Sequence, residues 1–304
     1  SPALMDFITC DWGTTHFRLR WSDNSRNREI QTDEGAARLA ARGGDRAAVY
    51  RETLDRGLEA LGAPRDLPVM ISGMASSTLG WKELPYARVP FALDGSTAVS
   101  ERLDARTILI SGFCSESDMV RGEETQALGI AATVGPAVPD HAWWILPGTH
   151  SKHLEVRSGF IVGVRTFMTG ELFDLLTHHS VLRHTTDARA PFDADAFAEG
   201  VDAARQGPVT GVLFQARTRQ VLGGKPASAN ASFLSGLLVG AELESLTRRE
   251  CHLLIAASGP LRTAYSTAAR ILGLESRLTL LESTSLTARG QEVLLRRQIG
   301  RAHV

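Results

Sequence analysis

The chain has 304 residues, of which 43% are apolar and 22% are charged, and its formal net charge at pH 7 is −1. This composition is typical of a globular protein with about two domains. A nearly neutral chain has no general attraction for nucleic acid or for an anionic membrane, so an anionic ligand must be held by a local site. Three widely spaced cysteines (Cys10, Cys114 and Cys251) without a CxxC pair favour a reducing cytoplasm over a disulfide framework or a metal cage.

The first third of the chain predicts a mixed α/β order. The predicted strands are 7–10, an alternating segment at Phe17, Leu19 and Trp21, a segment at Ile30, 69–72 and 107–110. Asp45 is predicted to cap a helix that runs to about Leu61 and ends at Gly62. A further helix is predicted from about Glu123 to Thr133.

The second half of the chain repeats this order. Its predicted strands are 143–146, 153–156, 160–167, 253–257 and 278–281, with a hairpin turn at Ser158-Gly159. Its predicted helices are 171–182, 193–205, 209–221, 232–247, 261–272 and 286–297. The repeated β-β-β-α-β-α-β order predicts two similar domains with a cleft between them.

A first glycine-threonine turn follows the first predicted strand. Gly13, Thr14 and Thr15 lie between two strands, in a shape whose backbone N–H groups and hydroxyls can surround a phosphate. Asp11 lies at the carboxyl end of the strand, where ligand sites in α/β sheets form, and its carboxylate suits a hydrated Mg²⁺. The alternative is an aspartate that only initiates a turn. Arg18 adds a phosphate donor and favours the ligand site.

A second turn of the same kind follows the strand 143–146. Its residues Gly148, Thr149, His150, Ser151 and Lys152 are rich in donors and include no acid, which fits an anion better than a metal. The alternative is a polar surface hairpin. If the two turns face each other, they can hold a nucleotide triphosphate from both sides.

A third turn, Ser258-Gly259-Pro260, joins a strand to a helix. Small residues allow a flat ring to approach the backbone, and a helix N-terminus favours anions. This signal is weak by itself, since strand-to-helix turns are often rich in glycine.

Two glutamates begin the predicted helix after Gly122. Neighbouring helical side chains point about 100° apart, so only one of Glu123 and Glu124 can aim at a given hydroxyl. A carboxylate there can accept the proton of a sugar hydroxyl, and the alternative role is a partner of the helix dipole.

The loop 74–85 could close over a substrate, with Trp81 as a contact or as a structural anchor.

Together these residues resemble the superfamily of sugar kinases, actin and chaperone ATPases. Its ordered elements are a phosphate turn, a connecting helix, a second phosphate turn, an adenosine turn and a second connecting helix, matched here by 11–15, 121–133, 147–152, 256–261 and 286–297. The resemblance implies an α/β fold of two ribonuclease H-like (actin-like ATPase) domains, of repeated βββαβαβα order, flanking a nucleotide cleft. Residues 1–135 would form the substrate side, and residues 136–304, with a helical insert at about 185–250, the nucleotide side.

Within that superfamily the chain is most similar to the 2-dehydro-3-deoxygalactonokinase family. The segments that carry this resemblance are 11–15 with Arg18, 80–82 with 85–86, 121–126, 147–150 with Lys152, 167–172 and 233–238. The resemblance implies ATP-dependent phosphorylation of the terminal (6-) hydroxyl of 2-dehydro-3-deoxy-D-galactonate, in galactonate catabolism. It implies ATP and Mg²⁺ as cofactors and a sugar acid as the small-molecule partner.

The resemblance also implies roles for individual residues. Asp11 would hold Mg²⁺ through water, and Glu124 would be the catalytic base, standing with Thr125 where hexokinase-type relatives have an Asp-Thr pair. The implied nucleotide contacts are Gly13, Thr14, Thr15, Arg18, Gly148, Thr149, His150, Lys152, Ser258, Gly259 and Pro260. The implied substrate residues are Trp81, Lys82, Arg121 and Arg165, and the partner of the substrate carboxylate stays open among the last three.

Three alternatives remain at the level of sequence. One is a kinase of the same fold that acts on another sugar or sugar acid, and a second is an actin-type or chaperone-type ATPase without a small acceptor. A dinucleotide-binding enzyme is disfavoured, because the G-x-G-x-x-G opening is absent from the sequence. The oligomeric state stays open, with a homodimer as one alternative.

Overall fold

The computed structural model describes residues 6–22, 27–137 and 139–302. The chain forms two compact units. Unit 1 comprises the described residues up to 140, 156–164 and those from 284 onward, and unit 2 comprises His141–Glu155 and Arg165–Ser283. Within the described ranges, no helix has both the length and the apolar character needed to cross a membrane.

The secondary-structure elements follow in chain order. The strands are β1 (Ile8–Trp12), β2 (Phe17–Ser22), β3 (Asn27–Thr32), β4 (Val69–Gly73), β5 (Ala87–Arg88), β6 (Phe91–Ala92), β7 (Ser100–Arg102), β8 (Thr107–Ile110), β9 (Phe113–Cys114), β10 (Met119–Val120), β11 (His141–Leu146), β12 (Ser151–Arg157), β13 (Phe160–Phe167), β14 (His252–Ala256) and β15 (Leu278–Leu281). The helices are α1 (Ala36–Arg42), α2 (Arg46–Leu61), α3 (Glu123–Val134), α4 (Thr169–His179), α5 (Ala194–Ala203), α6 (Val209–Val212), α7 (Gln215–Val221), α8 (Ala227–Glu244), α9 (Gly259–Ile271) and α10 (Leu286–Ala302).

The main sheet of unit 1 has the strand order β3-β2-β1-β4-β8-β7. β1 pairs with β2 antiparallel and with β4 parallel, and β8 continues the parallel part. The alternation predicted for β2 is confirmed, since Phe17, Leu19 and Trp21 are buried and the residues between them are not. The predicted ends of α2 are also confirmed. Asp45 accepts the Ala47 N–H at 3.1 Å, and Gly62 ends the helix with φ 67°.

The second large sheet has the order β15-β14-β11-β12-β13-β6. The order β13-β12-β11-β14-β15 in this sheet corresponds to the order β3-β2-β1-β4-β8 in the first sheet. In both sheets the third, second, first, fourth and fifth strands of the repeat lie side by side. β11, β14 and β15 run parallel. Ser158 and Gly159 take positive φ values of 47° and 81° in the β12–β13 turn, as the predicted hairpin requires. The repeated α/β order predicted from the sequence is therefore confirmed.

The helical part of unit 2 forms its own small core. A Cβ atom at Gly200 would lie 2.0 Å from the Phe233 carbonyl oxygen, which shows that the backbones of α5 and α8 are in close contact where the helices cross. The single helix predicted over 209–221 was wrong: the chain forms two short helices, α6 and α7, separated at 213–214. The helix predicted to start at residue 232 starts at Ala227, directly after Pro226, which is pre-organised for a helix start.

The last helix, α10, packs against α3 in unit 1. A Cβ atom at Gly129 would lie 2.0 Å from the Leu286 oxygen, and one at Gly290 would lie 1.8 Å from the Thr125 oxygen, so only glycine allows this approach. The compact units thus differ from the expected division at residues 135 and 136, which placed α10 with the second half of the chain.

Candidate functional site

The first Gly-Thr turn is held by the start of α1. Its carbonyl groups accept N–H groups from the beginning of that helix: Gly13 from Ala36 at 3.0 Å, Thr14 from Ala37 at 3.0 Å and Thr15 from Gly35 at 3.1 Å. These hydrogen bonds fix the carbonyl side of the turn. Thr14 and Thr15 are exposed, so their side chains are available to a ligand. Their hydroxyls have no hydrogen-bond partner among the described residues.

Gly35 makes this support possible. A Cβ atom at Gly35 would lie 2.3 Å from the Thr15 carbonyl carbon and 2.4 Å from the Thr14 oxygen. Neither the role of Gly35 nor α1 was predicted from the sequence. The available signal was the acidic pair Asp33-Glu34 before a glycine and a run of alanines, which is weak for a seven-residue helix.

Asp11 lies on β1 next to Gly73, whose missing side chain leaves space beside the carboxylate. The carboxylate is half-buried and makes no hydrogen bond or ion pair with any residue that the structure describes. Burial raises its pKa, while the charges of Arg18 and Arg20 act in the opposite direction. A Cβ atom at Gly73, which has φ 97°, would lie 3.5 Å from Asp11 Oδ1. The free carboxylate and this glycine-lined space fit a hydrated Mg²⁺, which commonly takes one or two protein carboxylates together with substrate phosphates.

Arg18 is the cross-strand neighbour of Asp11 in the β1–β2 pair. Its guanidinium donates to Gln31 Oε1 from Nε at 2.9 Å and from Nη2 at 2.6 Å, and it lies 3.6 Å from Glu29. The side chain is therefore held against β3.

The start of α3 carries a buried carboxylate and lies next to Gly73. Glu124 is fully buried, and its Oε2 accepts the Gly122 N–H at 2.6 Å while Oε1 has no hydrogen-bond partner. Burial, with the neighbouring Glu123 charge, raises the pKa of Glu124 to about 8. A Cβ atom at Gly122 would lie 3.7 Å from the Gly73 Cα, so the helix start and the space beside Asp11 are adjacent. Glu123 is half-buried, and its Oε2 accepts the Arg121 N–H at 3.0 Å.

A buried polar network lies under these two carboxylates. Gln291 Nε2 donates to the Cys10 oxygen at 3.1 Å and to Ser72 Oγ at 2.9 Å. Thr125 Oγ1 lies 2.7 Å from the Gly122 oxygen and 3.0 Å from Ser72 Oγ. Since a carbonyl can only accept, Thr125 donates to Gly122 and the Ser72 hydroxyl donates to Thr125. These hydrogen bonds connect α10 and α3 to β1, which carries Asp11, and to β4, which ends at Gly73. The network was not predicted from the sequence.

Arg121 is anchored beside the loop that follows β4. Its Nη1 donates to the Ser76 oxygen at 2.7 Å and to Ser76 Oγ, and its Nε donates to the Tyr86 hydroxyl at 3.3 Å. The guanidinium carbon lies 4.2 Å from the centroid of the Tyr86 ring. Within the described chain, Nη2 has no hydrogen-bond partner, so this one amino group of the guanidinium remains free.

The other predicted substrate residues of unit 1 have structural partners. The Lys82 ammonium pairs with Glu101 on the surface. Trp81 packs on the core, with its ring 6.4 Å from Trp12 and the Arg51 guanidinium 4.6 Å from its centroid. These contacts match the anchor role that the sequence analysis left open for Trp81.

The second Gly-Thr turn is supported as the first one is. The Thr149 oxygen accepts the Glu171 N–H at 3.0 Å from the first turn of α4, and a Cβ atom at Gly170 would lie 2.8 Å from the Gly148 oxygen. Thr149 and His150 are exposed, and the His150 ring pairs with the Glu171 carboxylate. In both units a helix start with a glycine therefore holds the carbonyl side of the turn.

Lys152 is a nearly buried cation directly after the second turn. It is 7% exposed, and its ammonium forms no ion pair or hydrogen bond with the residues that the structure describes. A cation that is mostly withdrawn from water without a protein partner is suited to an anionic ligand.

The third turn begins α9 and leaves the helix start open. Ser258 is extended and its side chain makes no capping hydrogen bond, while Gly259 (φ 53°) and Pro260 are exposed. The first N–H groups of α9 are thus without a side-chain cap. Arg165 is also in unit 2, where its guanidinium lies 5.4 Å from the Phe167 ring centroid.

The repeated sheet order and the two helix-supported turns define an α/β protein of the actin-like ATPase fold. The activator of the 2-hydroxyisocaproyl-CoA dehydratase from Clostridium difficile, solved with bound ADPNP, shares this fold with a TM-score of 0.50 at 12% identity, covering 99% of this chain and 98% of that one.

Comparisons at higher identity define the family. The family model of 2-keto-3-deoxy-galactonokinase matches residues 11–292. The chain is 35% identical over 289 residues to the probable 2-dehydro-3-deoxygalactonokinase DgoK1 of Rhizobium meliloti (strain 1021), over 89% of this chain and 91% of that protein. It is 32% identical over 295 residues to the 2-dehydro-3-deoxygalactonokinase of Escherichia coli (strain K12), over 94% and 88% of the two chains. A crystal structure of a candidate 2-dehydro-3-deoxygalactonokinase from Sinorhizobium meliloti gives a TM-score of 0.83 at 32% identity, over 96% of this chain and 99% of that one.

The chain therefore belongs to the 2-keto-3-deoxy-galactonokinase family, as the sequence motifs predicted. It is a kinase of the class that uses an alcohol group as acceptor, and a kinase of this fold implies ATP as the donor.

Proposed function

We propose that this kinase transfers the γ-phosphoryl group of Mg-ATP to the terminal 6-hydroxyl of 2-dehydro-3-deoxy-D-galactonate, in galactonate catabolism. The observation that carries the proposal is the family match from Asp11 to Glu292, which includes all three turns and the start of α3. The free donor groups on the two Gly-Thr turns support it.

Each unit offers donors that suit the phosphates of ATP. Thr14 and Thr15 donate their free hydroxyls in unit 1, and Thr149 and Lys152 supply a hydroxyl and a positive charge in unit 2. The adenine lies against Ser258, Gly259 and Pro260, where the backbone is exposed. Such donors accelerate phosphoryl transfer mainly by positioning and by neutralising charge on the transferred group.

Asp11 is the residue that would hold Mg²⁺, through water. Bound there, the metal would neutralise charge on the phosphate oxygens. A single carboxylate suffices for this role, and no cluster of three or more His, Cys, Asp or Glu side chains suited to a metal occurs among the described residues.

Glu124 is the proposed general base. Its Oε1 has no partner, and a buried carboxylate oxygen without a hydrogen bond is costly, so a substrate hydroxyl that donates to it would relieve that cost. In the reaction the 6-hydroxyl proton passes to Glu124, the oxygen attacks the γ-phosphorus, and the bond to ADP breaks. Because Oε1 is enclosed, the residues around it, which include the start of α3, must open to admit the hydroxyl.

Arg121 is the proposed partner of the substrate carboxylate. Its guanidinium is fixed by Ser76 and Tyr86 with Nη2 free, whereas Lys82 is already paired with Glu101. A rigidly held guanidinium loses little freedom when its free amino group donates to a carboxylate.

The test is ADP release from Mg-ATP with a panel of sugar acids that includes 2-dehydro-3-deoxygalactonate and its gluconate-type analogue. We expect the highest kcat/KM with the galactonate derivative and a product phosphorylated at the 6-position. A higher kcat/KM for another sugar acid would assign a different substrate, and ADP release that no sugar acid stimulates would overturn the kinase proposal.

A further inference from the structure

One buried carboxylate in unit 2 lies outside the residues assigned above. Glu242 is 3% exposed on α8, a helix whose neighbouring buried positions are leucine, valine and glycine. A carboxylate at such a position requires partners, because an apolar side chain of similar size would be less costly to bury.

The partners of Glu242 come from three different elements. Its Oε1 accepts hydrogen bonds from the Thr169 hydroxyl at 2.8 Å and from the Tyr265 hydroxyl at 3.0 Å. Its Oε2 lies 3.5 Å from Nε2 of the buried His153 without a hydrogen bond between them, and the His153 ring packs 4.4 Å from the Phe167 ring. Burial, with the adjacent Glu242 charge, raises the pKa of Tyr265 well above its usual range, so its hydroxyl stays protonated and donates.

Each of these three elements carries or supports residues proposed to contact the nucleotide in unit 2. Thr169 begins α4, whose next two residues contact the second Gly-Thr turn. His153 follows Lys152 on β12, and Tyr265 lies on α9, the helix that starts at Gly259.

We infer that Glu242 is a positioning residue for ATP, holding the second Gly-Thr turn, Lys152 and the adenine-side turn in one arrangement through Thr169, His153 and Tyr265. This inference rests on the proposed function. Glu242 itself does not contact the nucleotide, and its effect passes through the elements that it joins.

The experiment measures the Kd of a non-hydrolysable Mg-ATP analogue by calorimetry, together with KM for ATP and KM for the sugar acid. Glu242→Leu removes both acceptors, and we expect a Kd at least about tenfold higher, a raised KM for ATP and an unchanged KM for the sugar acid. Glu242→Gln keeps a carbonyl oxygen for Thr169 and Tyr265, so its Kd should lie between those of the wild type and Glu242→Leu. Thr169→Val and Tyr265→Phe, which each remove one donor, should also raise the Kd and serve as the test if Glu242→Leu does not fold.

Asn230 provides a matched control on the same helix. It is fully buried and donates to the Thr185 oxygen at 3.0 Å and to the Ala216 oxygen at 2.9 Å, in the separate helical core. Asn230→Leu should lower the melting temperature but leave the nucleotide Kd unchanged. An unchanged Kd in Glu242→Leu, or an equal loss of affinity in Asn230→Leu, would overturn the inference. A wild-type chain that binds no nucleotide would instead overturn the proposed function.

Discussion

At the scale of single residues, Glu124 combines two opposing properties. Its complete burial excludes water from the carboxylate, and the same burial raises its pKa to about 8. A base must be ionised to accept a proton, so burial makes Glu124 a stronger base but lowers the fraction that is active at neutral pH.

The first prediction concerns the identity of the base. Glu124→Gln should lower kcat by about 10²- to 10⁴-fold, the usual contribution of a general base, and leave the Kd of Mg-ATP unchanged. Glu123→Gln is the control, and it should retain most of the activity. Steady-state kinetics of both variants decide the assignment, since a large loss in Glu123→Gln with near-normal turnover in Glu124→Gln would move the base to Glu123.

The second prediction concerns pH. The kcat/KM for the sugar acid should rise as the pH rises and level off above about 8, where Glu124 is ionised. The stability effect has the opposite sign. The folded pKa of about 8 exceeds the ordinary value of 4.5, so the protonated form stabilises the fold at low pH and this stabilisation is lost as the pH rises to about 8.

Melting curves at two pH values check the stability part. Glu124→Gln carries no titrating group, so its melting temperature relative to the wild type should be higher at pH 8.5 than at pH 5. Glu123→Gln should follow the wild type. An activity profile that is flat from pH 6 to pH 9, or an equal difference in melting temperature at both pH values, would contradict the assigned pKa.

The third prediction concerns substrate binding. Arg121→Lys keeps a positive charge but loses the planar fork, so KM for the sugar acid should rise by about an order of magnitude while the Kd of ATP stays constant. Lys82→Ala, which removes a surface ion pair with Glu101, should have little effect. Kinetics that show the reverse pattern would assign the carboxylate to Lys82.

At the scale of secondary-structure elements, each Gly-Thr turn depends on the helix start behind it. Gly35 and Gly170 both lie where a Cβ atom would meet the backbone of the turn, at 2.3 Å and 2.8 Å respectively. The turns therefore take their shape from tertiary packing as well as from their own residues.

The fourth prediction uses this difference between glycines. Gly170→Ala should lower the melting temperature and weaken ATP binding, because its Cβ atom forces the turn away from α4. Gly148→Ala is the matched variant. A Cβ atom there would have no neighbour within 4 Å, so stability should be unchanged and any loss of ATP affinity reports a nucleotide close to that backbone. Equal melting temperatures for the two variants would contradict the proposed support.

Local signals account for the elements that the sequence predicted well. The alternation of β2, the Asp45 cap of α2 and the Ser158-Gly159 turn each follow from a few adjacent residues. The two-residue strands β5, β6, β9 and β10 and the helix α1 were not predicted, since elements so short form mainly through distant partners. The weak helix formers of α6, which include Gly211, were a sign of the break between α6 and α7 that the predicted single helix over 209–221 did not take into account.

The residues of the candidate site likewise divide into those that local motifs predict and those that only the fold brings together. The turn residues and Asp11 were predicted because they follow strands in short motifs. In the buried network, Gln291 donates hydrogen bonds to Ser72 and Cys10, which are more than 200 positions away in the sequence. No local sequence pattern can therefore predict it. Glu242 did carry a signal, as a charged residue inside an otherwise apolar helical segment.

At the scale of the whole molecule, the two units share one plan. The two large sheets have the same strand order from their third to their fifth strand, each has a Gly-Thr turn after its first strand, and each turn rests on a helix start that contains a glycine. The threonines of both turns have free hydroxyls and Lys152 has a free ammonium among the described residues, and the carboxylates proposed for the metal and the base, Asp11 and Glu124, belong to unit 1. The proposed function therefore predicts that hydroxyls in each unit contribute to the affinity for ATP.

Calorimetry of a non-hydrolysable Mg-ATP analogue with the wild type, Thr15→Val and Thr149→Val tests that prediction most directly. Each variant removes one hydroxyl from an exposed residue, so the fold should be retained. The account predicts one nucleotide per chain and a Kd that rises severalfold in each variant. A Kd that changes in one variant and not in the other, or a second independent nucleotide per chain, would contradict it.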